Sequence, residues 1–234
     1  MYNNAKQLKA FVLDLFFPNR CPLCGNVINW KLEYCGRCYD ELPYTGDELC
    51  RGCGNDISRC SCHENERSFS RCYAAFYYQG SAKGGVVYLK RTKNDVFPRL
   101  FAEKTAADIN SDALFPKADC IVPVPMSKLK LRRRGYNQAE VLADALAEKL
   151  DIPVCRNALI KGESVVAQHK LSANRRKSNA ARLYSAGNTA EIKDKTVIIV
   201  DDVMTTGSTI NSCAEILLDM GANSVIAAVA ATTV

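Results

Sequence analysis

Val197-Ile198-Ile199-Val200-Asp201-Asp202-Val203-Met204-Thr205-Thr206-Gly207-Ser208-Thr209 is the stretch whose reading decides the fold. Four β-branched apolar residues in a row predict a buried strand over Thr196 to Val200. Two adjacent carboxylates follow, then small hydroxyl residues around one glycine. An apolar strand does not end in paired like charges unless something nearby needs them. The next segment, Ser208 to Met220, has the apolar spacing of a helix and is ended by Gly221.

Thr205 to Thr209 therefore joins a strand to a helix. Its backbone N–H groups and the helix N-terminus face outward together, an arrangement that binds anions and above all phosphate. Neither G-x4-G-K-[ST] nor G-x-G-x-x-G is present, which excludes a Walker loop and a dinucleotide fingerprint. The hydroxyls of Thr205, Thr206, Ser208 and Thr209 add donors. Carboxylates placed just before such a cradle repel the phosphate, so Asp201 and Asp202 are expected to address another part of the same ligand. A sugar diol suits them, and a ribose 5-phosphate satisfies both halves of the stretch. The alternative is a strand that ends in a solvated acidic turn, with Ser208 an ordinary helix cap.

Outward from this stretch, strands and helices alternate. Strands are expected at Tyr73 to Tyr78, Asp119 to Val124, briefly at Ile152 to Cys155, and at Ser224 to Ala231. Helices are expected at Ser81 to Arg91, Phe97 to Asn110 and Asn137 to Leu150. This order predicts an α/β fold, a parallel sheet with helices on both faces. Ligands of such sheets bind beyond the carboxyl ends of the strands. The Asp201-Asp202 loop, Val122 to Ser127, and a long polar stretch from Lys161 to Ala181 all fall there. The formal charge is +6, and the residues before Tyr73 are charge-balanced, so the basic excess belongs to the rest and suits an anionic ligand.

The first 72 residues hold two compact cysteine sets. One is Cys21-x2-Cys24 with Cys35-x2-Cys38; the other is Cys50-x2-Cys53 with Cys60-x-Cys62. Four thiolates make a closed tetrahedral zinc site, and Gly25 and Gly54 let each first turn close. Two structural zinc ions are expected, with no ligand position open to a substrate. His63 adjoins Cys62 and could replace a thiolate. A disulfide framework is the competing reading, disfavoured because no signal peptide is recognisable. Cys72, Cys120, Cys155 and Cys213 lie in apolar segments without partners at ligand spacing and are expected in the core. Leu8, Phe11, Val12, Leu15 and Phe16 mark an amphipathic helix within residues 1–17. No apolar run is long enough to span a membrane, and a cytoplasmic protein is expected.

The stretch Val197 to Thr209 resembles the phosphoribosyl-pyrophosphate motif of type I phosphoribosyltransferases. The resemblance implies that Asp201 and Asp202, as catalytic and ligand-binding residues, hold the ribose hydroxyls, while the run from Val203 through Thr205, Thr206, Gly207, Ser208 and Thr209 wraps the 5-phosphate. It also implies that Val124, Pro125, Met126 and Ser127 grip the pyrophosphate through their backbone, often around a strained non-proline cis peptide. A tandem cysteine module ahead of such a domain resembles the ComF family, as do Arg132 to Ala139, Gln168 to Ser172, and Arg175, Arg176 and Asn179. That implies a double zinc ribbon over 18–72, a phosphoribosyltransferase-like domain over 73–234, and, for the competence members, work on single-stranded DNA with a helicase-like partner.

If transfer occurs, pyrophosphate leaves C1 of the ribose through an oxocarbenium-like transition state. Mg²⁺ would neutralise most of the leaving group, helped by Lys128, Arg134 or a cation of the 161–181 stretch. The basic residues within Met126 to Gly135 and Lys170 to Arg182 suit a nucleic-acid backbone as well as pyrophosphate, with a solvated face the default for such runs. Tyr136 and Tyr184 could stack on bases, though buried packing is the commoner fate of such residues. Three functions thus stand open: a DNA-uptake protein that binds phosphoribosyl pyrophosphate and single-stranded DNA, a phosphoribosyltransferase of nucleotide salvage, and a ligand-sensing adaptor for a helicase.

Overall fold

The computed structural model describes residues 18–46, 50, 52, 54, 56–60, 67–115, 117–162 and 183–233. The helix expected within 1–17, nearly all of the polar stretch 161–181, and Cys53, Cys62 and His63 lie outside the described residues. In chain order the elements are α1 (Gly36–Asp40), β1 (Arg71–Tyr77), α2 (Gly80–Leu89), α3 (Val96–Ser111), β2 (Cys120–Pro123), α4 (Lys128–Arg134), α5 (Gln138–Leu150), β3 (Leu159–Lys161), β4 (Tyr184–Ala186), β5 (Thr196–Met204), α6 (Ser208–Asp219) and β6 (Ser224–Thr232).

The main sheet runs β1-β6-β5-β2, and every pairing in it is parallel. Parallel strands joined by helices are covered on both faces, so they are apolar along their whole length. Accordingly β6 is buried from Val225 to Thr232. Alternation along β5 divides the core in two. Ile198 and Val200 pack with Phe76, Phe97, Phe101, Leu142 and Leu146 under α2, α3 and α5. Val197 and Ile199 pack with Ile210, Cys213, Ala214 and Leu217 under α6. Cys72, Cys120, Cys155 and Cys213 are all buried, as expected of them.

α5 begins where its cap predicts, because the Asn137 side chain accepts a hydrogen bond from the Ala139 N–H. The same side chain donates to the Val124 carbonyl at 3.0 Å and so ties the β2 exit loop to the helix.

Several local expectations are corrected. β5 does not stop at Val200 but runs on through both acids to Met204, because Asp201, Val203 and Met204 all find partners on β6. Ile152 to Cys155 forms no strand; Val154 alone bridges to Ile121, since Pro153 has no N–H to donate. The basic run after Ser127 is helical, ended by Gly135 in the left-handed conformation with its N–H on the Leu131 carbonyl. Leu159–Lys161 and Tyr184–Ala186 pair as an antiparallel hairpin base at the two ends of the polar stretch. Peptide bonds among the described residues, Val124 to Ser127 included, are all trans.

The N-terminal module is built into this core. Leu23, Ile28, Cys38 and Leu42 are buried in the same cluster as Phe76 and Phe97. Residues 43–45 run antiparallel along the outer edge of β1: the Tyr77 N–H donates to the Pro43 carbonyl at 2.7 Å and the Thr45 N–H to the Ala75 carbonyl at 3.2 Å. Covering an edge strand in this way removes a template for unwanted pairing. No helix among the described residues is long and apolar enough to cross a membrane.

Candidate ribose phosphate site and metal centre

Because β5 extends through the acids, the two-residue period of a strand sends them to opposite faces. Asp202 lies on the α2–α5 side and is buried. Its Oδ2 accepts from Lys90 Nζ at 2.8 Å and from Gln138 Nε2 at 3.2 Å. Asp201 lies on the α6 side and is half-buried. Burial, and next the charge of Asp202, push its carboxyl up to about 8. Lys90 opposes this shift but is engaged by Asp202.

Asp201 lines both clefts at this end of the sheet. One is walled by Met204 and by Thr205 through Ile210. The other is walled by Val124 through Ser127, Lys130, Asn137, Gln138, Lys161, Tyr184 and Thr209. The Thr205–Thr209 loop turns at Gly207, whose φ of 74° is open to glycine at little cost. Thr206 Oγ1 lies 3.1 Å from Ser208 Oγ and accepts from the Ser208 N–H at 3.4 Å. The loop residues Thr205 to Ser208 and the α6 N-terminus thus wall the first cleft, the Val124–Ser127 loop walls the second, and the two clefts share Asp201 and Thr209.

Of the residues singled out in the sequence, this arrangement gathers Asp201, Val203, Thr205 through Thr209, and Val124 through Ser127. Asp202, Lys128 and Arg134 line neither cleft. Lys128 is exposed on α4, and Arg134 hydrogen-bonds to Gln138. Tyr136 is half-buried with its hydroxyl on the Leu89 carbonyl, and Tyr184 is buried, so both take the packed alternative over exposed stacking. Lys161 Nζ donates to the Tyr184 hydroxyl at 2.7 Å and lies 4.6 Å from the ring centre.

Residues that sequence reasoning missed are Lys90, Gln138 and Arg67, whereas Lys161 begins the 161–181 stretch, one of whose cations was expected to help. Gln138 stood inside the quoted Arg132–Ala139 match but had no role assigned. Arg67 reaches the loop from a distant part of the chain, donating Nη1 to the Thr206 carbonyl at 2.8 Å. A lone arginine so far from the loop carries no pattern by which to find it.

The first cysteine set forms a compact cluster, with the sulfurs of Cys21, Cys24, Cys35 and Cys38 all within 4.8 Å of one another. The Cys24–Cys35 separation is 3.8 Å, which matches the edge of about 3.8 Å in a tetrahedron of thiolates around zinc. Gly25 closes the turn at φ 78°, with its N–H on the Cys21 carbonyl at 2.8 Å, and the Cys35 N–H reaches the Cys21 sulfur at 3.4 Å. Burial and then the neighbouring thiols push the Cys38 thiol up. The same turn recurs in the second set, where Gly54 at φ 68° donates its N–H to the Cys50 carbonyl at 2.9 Å.

A double zinc ribbon domain matches residues 12–74, and a phosphoribosyl transferase domain matches residues 131–233. Competence protein F of Haemophilus influenzae is 30% identical over 205 residues, which covers 86% of this chain and 85% of that protein. DNA utilization protein YhgH of Salmonella typhi is 28% identical over 209 residues, covering 88% and 86%. Among solved structures, glutamine phosphoribosylpyrophosphate amidotransferase from B. subtilis is 21% identical over 62% of this chain and 27% of that one, with a TM-score of 0.41. The fold and site define a class: a zinc-ribbon module fused to a phosphoribosyltransferase-type α/β domain. Within that class, the chain belongs to the ComF family.

Proposed function

We propose that this protein binds phosphoribosyl pyrophosphate, or a related ribose 5-phosphate, and that it acts in DNA uptake. The observation that carries the first part is the convergence of the Thr205–Thr209 loop and Asp201 on one cleft, which shares Asp201 and Thr209 with the cleft walled by Val124–Ser127. In this reading the 5-phosphate takes the loop amides and hydroxyls, and Asp201 takes a ribose hydroxyl. The diphosphate lies along Val124, Pro125, Met126 and Ser127 beside Lys130. Asp202 holds the floor through Lys90 and Gln138, while Lys128 and Arg134 contribute only to the local field. Mg²⁺, when it accompanies the diphosphate, supplies charge to the leaving group, and Asp201 is the carboxylate on the floor of the cleft suited to it. Residues 18–72 form the zinc module and 73–234 the phosphoribosyl module, with two structural zinc ions held by Cys21, Cys24, Cys35 and Cys38 and by Cys50, Cys53, Cys60 and Cys62.

The second part is supported by the relatives, which bear the names competence protein F and DNA utilization protein. It gains physical support from α4, where Lys128, Lys130, Arg132 and Arg133 are all exposed and enter no ion pair among the described residues. Such a surface suits the backbone of single-stranded DNA delivered with a helicase-like partner. The raised Asp201 carboxyl, a mark of catalytic clefts, favours base transfer as a second reading.

Thermal unfolding with phosphoribosyl pyrophosphate and Mg²⁺ tests the site. A rise in Tm that Asp201→Asn abolishes is expected, and no rise at millimolar ligand would sink the reading. Pyrophosphate release on adding a nucleobase separates transfer from binding without turnover.

A further inference from the structure

Arg67 links two parts of the chain that the sequence treats separately. It falls inside the stretch matched as double zinc ribbon, 12–74, whereas the Thr205–Thr209 loop belongs to the stretch matched as phosphoribosyl transferase, 131–233. The guanidinium sits against Gly207 so closely that a Cβ at that position would stand 2.7 Å from Nη1 and 3.3 Å from Cζ. Its Nη1 donates to the Thr206 carbonyl at 2.8 Å, and its Nε is buried without a hydrogen-bond partner among the described residues. The backbone behind it is anchored: the Ser68 N–H donates at 2.7 Å to Oδ1 of Asn211, in the first turn of α6. Asn211 in turn donates to Glu215 at 2.8 Å.

The geometry has a direct consequence for anion binding. A trans peptide is planar, and its C=O and N–H point in opposite directions. Drawing the Thr206 carbonyl toward Arg67 turns the Gly207 N–H away from Arg67, and Gly207 lines the cleft together with Thr205, Thr206 and Ser208. The fixed positive charge behind the loop adds to the field of the α6 N-terminus. We infer that Arg67 is a positioning residue for the phosphate loop: it aims the Gly207 N–H at the anion and strengthens binding of a 5-phosphate. The phosphoribosyl site is then completed by the zinc-ribbon part of the chain. This rests on the ribose phosphate reading of the cleft.

The test uses the full chain with zinc bound, ribose 5-phosphate as the probe in calorimetry, and amide hydrogen exchange of the ligand-free protein. Arg67→Ala is expected to weaken ribose 5-phosphate about tenfold, the scale of one charge-assisted hydrogen bond. It is also expected to speed exchange at residues 206–209 while the amides of β5 and β6 keep their protection. Arg67→Lys, which keeps the cation and a donor, recovers most of the affinity. Unchanged affinity and exchange in Arg67→Ala overturn the proposal. Faster exchange across the whole sheet also overturns it, since that marks a merely structural role. Should Arg67→Ala fail to fold, Arg67→Gln replaces it, and wild-type affinity there counts against the inference. If the unmutated protein binds no ribose 5-phosphate, the reading of the cleft falls. The exchange measurement then decides alone whether Arg67 holds the loop.

Discussion

At the scale of single residues, the two acids that look alike in the sequence have different tasks. Asp201 carries a carboxyl pushed up to about 8, against an ordinary value of 3.8 in an unfolded chain. A raised carboxyl binds its proton more tightly in the folded state. Its contribution to stability is therefore full below about pH 4 and is lost as pH rises toward about 8. Urea denaturation of the ligand-free protein across this window should show stability falling with pH, and Asp201→Asn should flatten that slope. Asp202 is held instead by Lys90 and Gln138. Asp202→Asn is expected to cost about 1 kcal/mol, since Lys90 is partly exposed and water takes up its charge. The chemistry of this pair was legible in the sequence, but its division of labour was not. Ending the strand at Val200 puts both acids in one loop; four more residues of β5 put them on opposite faces. That difference depends on pairing with β6, which a local apolar pattern does not encode.

At the scale of elements, β5, α5, α6 and β6 were readable because each has the period of its own geometry and a cap or stop where one is needed. α4 lacks that period, for Lys128-Leu129-Lys130-Leu131 alternates like a strand and none of its residues is buried. What makes it a helix is its ending. Gly135 has a φ of 85° with open space where a Cβ would stand, so Gly135→Ala meets no clash, only the left-handed backbone. A loss of about 1 kcal/mol in chemical denaturation is expected there. The exposed cations of α4 give a second prediction at this scale. Lys128→Ala with Arg132→Ala should weaken single-stranded DNA and reduce the slope of log K against log salt by about 1.4, or about 0.7 per contact removed. An unchanged slope in fluorescence anisotropy removes α4 from the DNA surface. The β3–β4 hairpin base was invisible because its two strands border a polar stretch and are three residues each.

For the whole molecule, the zinc module and the α/β domain are one packed body at the described contacts. Gly84 of α2 touches the Leu23 backbone, and a Cβ there would overlap the Leu23 carbonyl oxygen. Backbone cannot step aside as a flexible side chain can, so Gly84→Ala should destabilise by about 1–3 kcal/mol. Removing metal with a strong chelator should lower the melting temperature of the sheet as well as unfold the cysteine turns. Metal analysis should return two zinc ions per chain. The order β1-β6-β5-β2 has one more consequence, for synthesis. Arg71 stands opposite Ile226, so the inner edge of β1 must wait for about 155 further residues to be translated before it finds its neighbour. During that wait its outer edge can already be shielded by residues 43–45. The metal-binding module would then act as a nursery clamp, keeping a sticky strand from strangers until its own late-arriving partner emerges from the ribosome.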